Sequence, residues 1–174
     1  MRKLGKRNLA RLDLFQRVEW VSIDDYISED IMSIVEKSLQ QTLVDLIALS
    51  LQGKQAHWNI QGKEFRSLHL QLDEIIDQLR ESYDEVAERL VAIGTYADGR
   101  EETIYKTSTV PPLDEGFLGT DKVYTQFEER LVNVSKNIAA MIDDVDESDH
   151  VSADMLIGIC AILDKQAWML RSSK

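Results

Sequence analysis

One cysteine, two prolines and eight glycines in 174 residues leave little that cross-links or breaks the chain. Cys160 stands alone in the apolar run LIGICAIL. No intrachain disulfide can form, which excludes a disulfide-stapled secreted scaffold, favours a reducing compartment and makes the thiol a small core residue. The scarcity of proline and glycine excludes a turn-rich all-β chain and favours helix. Nowhere do 18 uncharged apolar residues run together, so no conventional membrane span is expected. The first residues, MRKLGKRNLARLDLF, carry basic groups but no continuous apolar segment of a secretory leader. The expectation is one soluble, cytoplasmic domain, and 44% hydrophobic content is enough to give it a buried core. Basic residues are scarce too: 20 against 31 acidic, for a net charge of −11, which argues against nucleic acid as a partner of the body of the chain. Their distribution complicates this. Arg2, Lys3, Lys6, Arg7 and Arg11 fall in the first 11 residues with no acid among them, leaving 15 basic against 31 acidic groups in the rest. The chain reads as a basic arm, residues 1–27, on an acidic domain, residues 28–174.

What is present is helical periodicity, four times over. After Ser28, a candidate N-cap, Ile31, Ile34, Val35, Leu39, Leu43, Leu46, Ile47 and Leu49 form a stripe that continues to Trp58, and Gly62 stops it. A second stripe runs from near Glu64 through Leu68, Leu72, Ile75, Ile76, Leu79, Val86 and Leu90 to Ile93, with Gly94 as its end. Between residues 94 and 119 the pattern breaks around Gly99, Pro111-Pro112, Gly116 and Gly119, with room for a short helix over residues 100–106. Thr120 is placed to cap a third helix carrying Val123, Phe127, Leu131, Val134 and Ile138. The acidic turn DDVDESDH leads into a fourth with Leu156, Ile159, Leu163, Ala167 and Leu170. Two helical hairpins joined by a connection of roughly 25 residues, where about 2–8 would suffice for neighbours, predict an all-α, ferritin-like four-helix bundle with one long crossover.

The chemistry-bearing residues concentrate in the second helix. At 3.6 residues per turn, His69, Asp73, Asp84 and Glu88 fall at roughly 0°, 40°, 60° and 100°, so all four share one face. Along the axis they form two clusters, with about 16 Å between Asp73 and Asp84, too far for one ion to span. His57, across the Gly62 turn, can join His69 and Asp73. A second copy of the chain, packed antiparallel about a two-fold axis, would bring the Asp84/Glu88 cluster of one subunit to the His57/His69/Asp73 cluster of the other. Two imidazoles with three carboxylates suit iron, manganese, cobalt or zinc, and bridging carboxylates can hold two such ions. A solvated acidic helix face and helix-end histidines with structural roles account for the same residues.

The segment resembles the Dps family, the DNA-protecting mini-ferritins of starved bacterial cells. The resemblance rests on His57-Trp58, His69 twelve residues on, Asp73 four after that, and the block Asp84-Glu85-Val86-Ala87-Glu88-Arg89, with Gly62 and Phe65 fitting between. It is closest over residues 54–94 and looser through the crossover and the last helix. The resemblance implies a hollow dodecamer with iron-oxidising, dinuclear sites at its two-fold interfaces. It implies that His57, His69 and Asp73 come from one subunit and Asp84 and Glu88 from its neighbour. It further implies oxidation of Fe(II), preferably by hydrogen peroxide, storage of ferric oxide in the cavity, and protection of DNA. Trp58 matches a tryptophan that scavenges stray oxidising equivalents in the family, and Lys54 a lysine that pairs within the site in some relatives.

Two further expectations concern charge. Asp146, Asp149 and Asp154 either line an acidic entry pore for cations or serve the start of the last helix as cap and dipole partners. The arm residues Arg2, Lys3, Lys6, Arg7 and Arg11 either bind DNA phosphates, independently of sequence and sensitively to salt, or form a solubilising tail, or dock on the shell through Leu14, Phe15 and Trp20. DNA binding would place the protein on the nucleoid.

Overall fold

The computed structural model describes residues 29–174. The basic arm, with Arg2, Lys3, Lys6, Arg7, Arg11, Leu14, Phe15 and Trp20, and the Ser28 cap lie outside the described residues. Within them the chain forms α1 (Glu29–Asn59), β1 (Ile60–Gln61), α2 (Phe65–Ala92), α3 (Glu101–Thr107), β2 (Leu118–Gly119), α4 (Thr120–Asp146) and α5 (His150–Ser172). The pairs α1/α2 and α4/α5 are hairpins, packed on each other chiefly through α1 against α4, and α3 lies across α1. This is the four-helix bundle with a crossover between its second and third long helices. No described helix is long and apolar enough to cross a membrane.

The periodic residues make one core. Leu39, Leu43, Leu46 and Leu49 of α1 meet Leu72, Ile75, Ile76 and Leu79 of α2, Phe127 and Leu131 of α4, and Leu156, Leu163 and Leu170 of α5, all nearly inaccessible to solvent. Ile34, expected to point inward, is exposed, because the stripe reaches the core only from Val35 onward. Gly53 sits where α1 approaches its neighbours most closely. A Cβ there would lie 3.1 Å from both Ile76 and Phe127.

Helix ends follow local chemistry. α2 stops at a Schellman motif, in which Thr95 N–H donates to the Leu90 carbonyl (2.9 Å), Gly94 N–H donates to that of Val91 (3.0 Å), and Gly94 has φ +90°. Asp149 caps α5 by accepting from the backbone N–H groups of Val151 and Ser152. Thr120 does not cap α4: the N-cap position is Gly119, with no side-chain bond, and the Thr120 hydroxyl donates instead to the Lys63 carbonyl at 2.6 Å. The hydroxyl is drawn from its own helix to the α1–α2 turn by tertiary contact.

Polar groups pin the crossover to the bundle. Buried Asp45 accepts from Gln41, the Ser108 hydroxyl, and both the N–H and hydroxyl of Thr109. Gln40 exchanges two hydrogen bonds with the backbone of Asp98, whose carboxylate takes a bidentate fork from Arg100. Buried Arg130 donates to Gln52 and to the carbonyls of Gln126 and Pro112. Two rungs of parallel bridge, Ile60 with Leu118 and Gln61 with Gly119, then deliver the crossover to the start of α4 beside the α1–α2 turn.

Candidate metal centre

The α1–α2 turn places the two histidines face to face. His57 is in the last turn of α1, His69 is in the second turn of α2, and their rings stack with centroids 3.7 Å apart and planes 23° from parallel. Each imidazole uses Nδ1 on the other's backbone: His57 Nδ1 lies 3.1 Å from the His69 carbonyl, and His69 Nδ1 lies 3.1 Å from the His57 carbonyl. A carbonyl only accepts, so each Nδ1 carries a proton, and in the neutral imidazole that burial favours for His57 the lone pair is on Nε2. Such outer hydrogen bonds set the tautomer and ring direction of metal-binding histidines. Phe65 stacks on the far side of His69 at 5.1 Å between ring centroids.

Asp73, one turn after His69, completes the cluster. Among the described residues, His57, His69 and Asp73 are the one group of three whose potential ligand atoms all lie within 4.8 Å of one another. Asp73 Oδ1 is 2.8 Å from Lys54 Nζ and 3.2 Å from His57 Nδ1. The Lys54 hydrogen bond, first of all, holds the Asp73 carboxyl below its usual range. Burial pushes the His57 imidazole below its ordinary value, only partly countered by the His69 carbonyl and the Asp73 charge. The cluster therefore presents an ionised oxygen donor and a neutral imidazole, the protonation states that a cation requires of its ligands.

Asp84 and Glu88 are not brought to this cluster. Both are exposed on the later turns of α2, and no other described element carries the histidine cluster to them. Glu88 instead shares with Asp154, Glu85 and Arg89 a surface hollow of about 640 Å³ between α2 and α5. Of the other candidates, Trp58 is 66% exposed. Asp146 holds His150 at 2.7 Å, which raises the pKa of that exposed imidazole. Asp149 is occupied: beyond capping α5 it accepts from the Ser152 hydroxyl and pairs with Arg89 at 2.6 Å. Burial would raise its carboxyl, but the bonds from Ser152 and Arg89 outweigh that and hold it low.

Three groups around the site escape a reading by spacing. Thr120 and the Lys63 carbonyl are 57 residues apart, a contact that no local pattern announces. Glu64 takes φ +62° at the entry to α2, where a glycine would be the usual signal. Arg89, the last letter of the Asp84–Arg89 block, was legible as a motif residue, but not its partner on α5.

A family model described as the ferritin-like domain matches residues 36–173. The chain is 35% identical over 145 residues to DNA protection during starvation protein 2 of Deinococcus radiodurans, covering 83% of this chain and 60% of that protein. The chain thus spans somewhat under two thirds of that relative's length. It is 33% identical over 135 residues to the DNA protection during starvation protein of Agrobacterium fabrum, covering 77% of this chain and 83% of that one. Among solved structures, Dps92 from Deinococcus radiodurans superposes with a TM-score of 0.81 at 34% identity, over 82% of this chain and 87% of that one. Dps from Microbacterium arborescens, solved in a high-iron form, gives 0.78 at 28% identity, over 83% and 95%.

Proposed function

Since the chain belongs to the ferritin-like family, within its DNA-protection-during-starvation (Dps) group, we propose that it is a ferroxidase that oxidises Fe(II) and stores the ferric product in the cavity of a homo-oligomeric shell. The observation that carries this reading is the His57/His69/Asp73 cluster, with both Nδ1 atoms tied to carbonyls and all three potential ligand atoms within 4.8 Å of one another. A second copy of the chain supplies Asp84 and Glu88, and the completed site takes two Fe(II) ions as substrate. Two Fe(II) give up one electron each, and one hydrogen peroxide accepts both and, with two protons, leaves as two waters. Pairwise delivery avoids the hydroxyl radical that a single electron would produce, and dioxygen is the slower oxidant. Imidazole and carboxylate together suit an ion that enters as Fe(II) and leaves as Fe(III). Trp58, exposed beside His57, takes stray oxidising equivalents, and Lys54 tunes Asp73. A shell of twelve subunits is the assembly that the family reading implies, and the cytoplasm its compartment.

Cations enter by the acidic start of α5, where Asp146, Asp149 and Asp154 stand and where Asp154 opens into the same hollow as Glu88. Because Asp149 is bound to Arg89 and Asp146 to His150, Asp154 carries more of the attraction.

Stopped-flow absorbance of Fe(II) mixed with peroxide tests the reaction. The wild type should show a fast ferric phase that His57→Ala/Asp84→Ala slows by about a hundredfold or more, given that even outer groups around a metal cost 10–100-fold. Equal rates in the two proteins would remove the ferroxidase reading.

The basic arm supports a second role, sequence-independent DNA binding and compaction. Five cationic residues per subunit, repeated around an oligomer, neutralise phosphates even beside an acidic shell. Low-salt gel shifts should be lost on deletion of residues 2–11; shifts unaltered by that deletion would rule out the arm.

A further inference from the structure

The covalent link between the two stacked histidines is the segment from Trp58 to Leu68, and its turn is also held from outside. Its first half is tethered by the parallel rungs Ile60 to Leu118 and Gln61 to Gly119. Lys63, in its middle, is held by Thr120, 3% exposed, whose hydroxyl donates to the Lys63 carbonyl at 2.6 Å. The turn needs holding. Gly62 has φ +124°, and Glu64, at φ +62°, is the one non-glycine residue with positive φ among the described residues. A non-glycine residue in the left-handed region is disfavoured and persists only where its surroundings impose it. The Gly62 position fits the Thr120 hydroxyl closely, since a Cβ at residue 62 would stand 3.2 Å from Oγ1.

The reciprocal bonds between the imidazoles depend on this turn. His57 Nδ1 must meet the His69 carbonyl while His69 Nδ1 meets the His57 carbonyl, so the last turn of α1 and the second turn of α2 must keep one register. If Glu64 relaxed to right-handed φ, the entry to α2 would rotate and both bonds would lengthen. The Nδ1 protons would then no longer be fixed, and the potential ligand atoms of His57, His69 and Asp73 would drift from the 4.8 Å within which they now lie.

We propose that Thr120, through the Lys63 carbonyl, is a positioning residue for the histidine half of the metal site, so that α4 and the crossover set how tightly the half-site binds a divalent ion. The inference rests on the metal reading of His57, His69 and Asp73. It also accounts for the empty cap of α4: the hydroxyl that would have capped its own helix serves the turn.

Cobalt(II), titrated without oxidant into the full-length assembled protein and followed by its visible absorption, tests this. Wild type should saturate and His57→Ala should abolish the ligand-field band. Thr120→Val, isosteric but without the donor, should bind about fivefold more weakly and with an altered band, as expected for losing an outer hydrogen bond. Thr120→Ser, which keeps the donor, should bind as wild type does. Wild-type affinity in Thr120→Val, with helicity and assembly mass unchanged, would overturn the proposal. Should Thr120→Val not fold, Thr120→Ala decides, because it also lacks the donor while keeping the chain's φ angles free of strain, and must also weaken cobalt binding. Wild-type affinity there is equally fatal. Identical titrations of wild type and His57→Ala would instead overturn the metal reading, and the clamp with it.

Discussion

At the scale of single residues, the Lys54 ammonium stands where a dication would exert its pull. It lies 2.8 Å from Asp73 Oδ1, and that carboxyl is held low first by this bond. A metal taking that oxygen must displace or tolerate the ammonium. Charges a few ångströms apart at a half-exposed site interact by about 1–4 kcal/mol. Lys54→Met should therefore tighten cobalt(II) binding at pH 7 by several-fold, on the order of three to ten times. Weaker binding in the variant would mean that the lysine orients the carboxylate rather than competing for it. His57 supplies a pH dependence of known sign. Burial is the chief cause of its lowered pKa, so below pH ~6.5 the unfolded chain binds more protons at this position than the folded one. The stability that neutral His57 allows is complete above that pH and declines as the pH falls toward the folded pKa. Urea unfolding of the metal-free protein between pH 7 and 5 should show this decline, and His57→Gln should flatten it. A wild-type slope retained in His57→Gln would assign the titration elsewhere.

At the scale of elements, the helices and their order were legible in the sequence because burial imposes a 3.6-residue period that side-chain type records. The short helix expected over residues 100–106 is α3, Glu101–Thr107, and Gly94 ends α2 as its position suggested. The histidine cluster was legible for the same reason: two helix ends joined by a tight glycine turn leave few places for His57 and His69 to be. What holds the crossover was not legible. Asp45, Gln40 and Arg130 stand on apolar helices as ordinary polar interruptions, and their partners are 58–78 residues away or on carbonyls that sequence does not display. Asp45 is the strongest case. At 2% exposure it accepts from the Ser108 hydroxyl and both donors of Thr109, while Ser108 is half-buried and Thr109 exposed, so water can reach both in Asp45→Ala. With a hydrogen bond to a charged group contributing about 1.5–3 kcal/mol, the variant should lose roughly 2 kcal/mol in urea unfolding, while Asp45→Asn should lose less. A loss under about 0.5 kcal/mol would show that water replaces the carboxylate and that the crossover is held by its apolar contacts instead.

At the scale of the whole molecule, one chain carries two incomplete sets of ligands on a single helix. Asp73 and Asp84 are 11 residues apart on α2, about 16 Å along its axis, and the fold brings no other element between them. The proposed two-fold pairing therefore predicts that one site draws on two chains. An apolar groove of about 760 Å³ lined by Ile47, Leu51, Ile104, Tyr105 and Val110 lies between α1 and α3, with Leu51 and Tyr105 largely exposed. A complementation experiment reads the pairing directly. His57→Ala lacks the histidine set, and Asp84→Ala/Glu88→Ala lacks the carboxylate set, so each assembly alone should oxidise Fe(II) no faster than background. If equal amounts are dissociated, mixed and reassembled, half of the pairs are mixed, and each mixed pair holds one intact site and one doubly broken site. About a quarter of wild-type activity should return. Were all five ligands to act within one chain, both variants would be dead in every combination, and mixing would restore nothing.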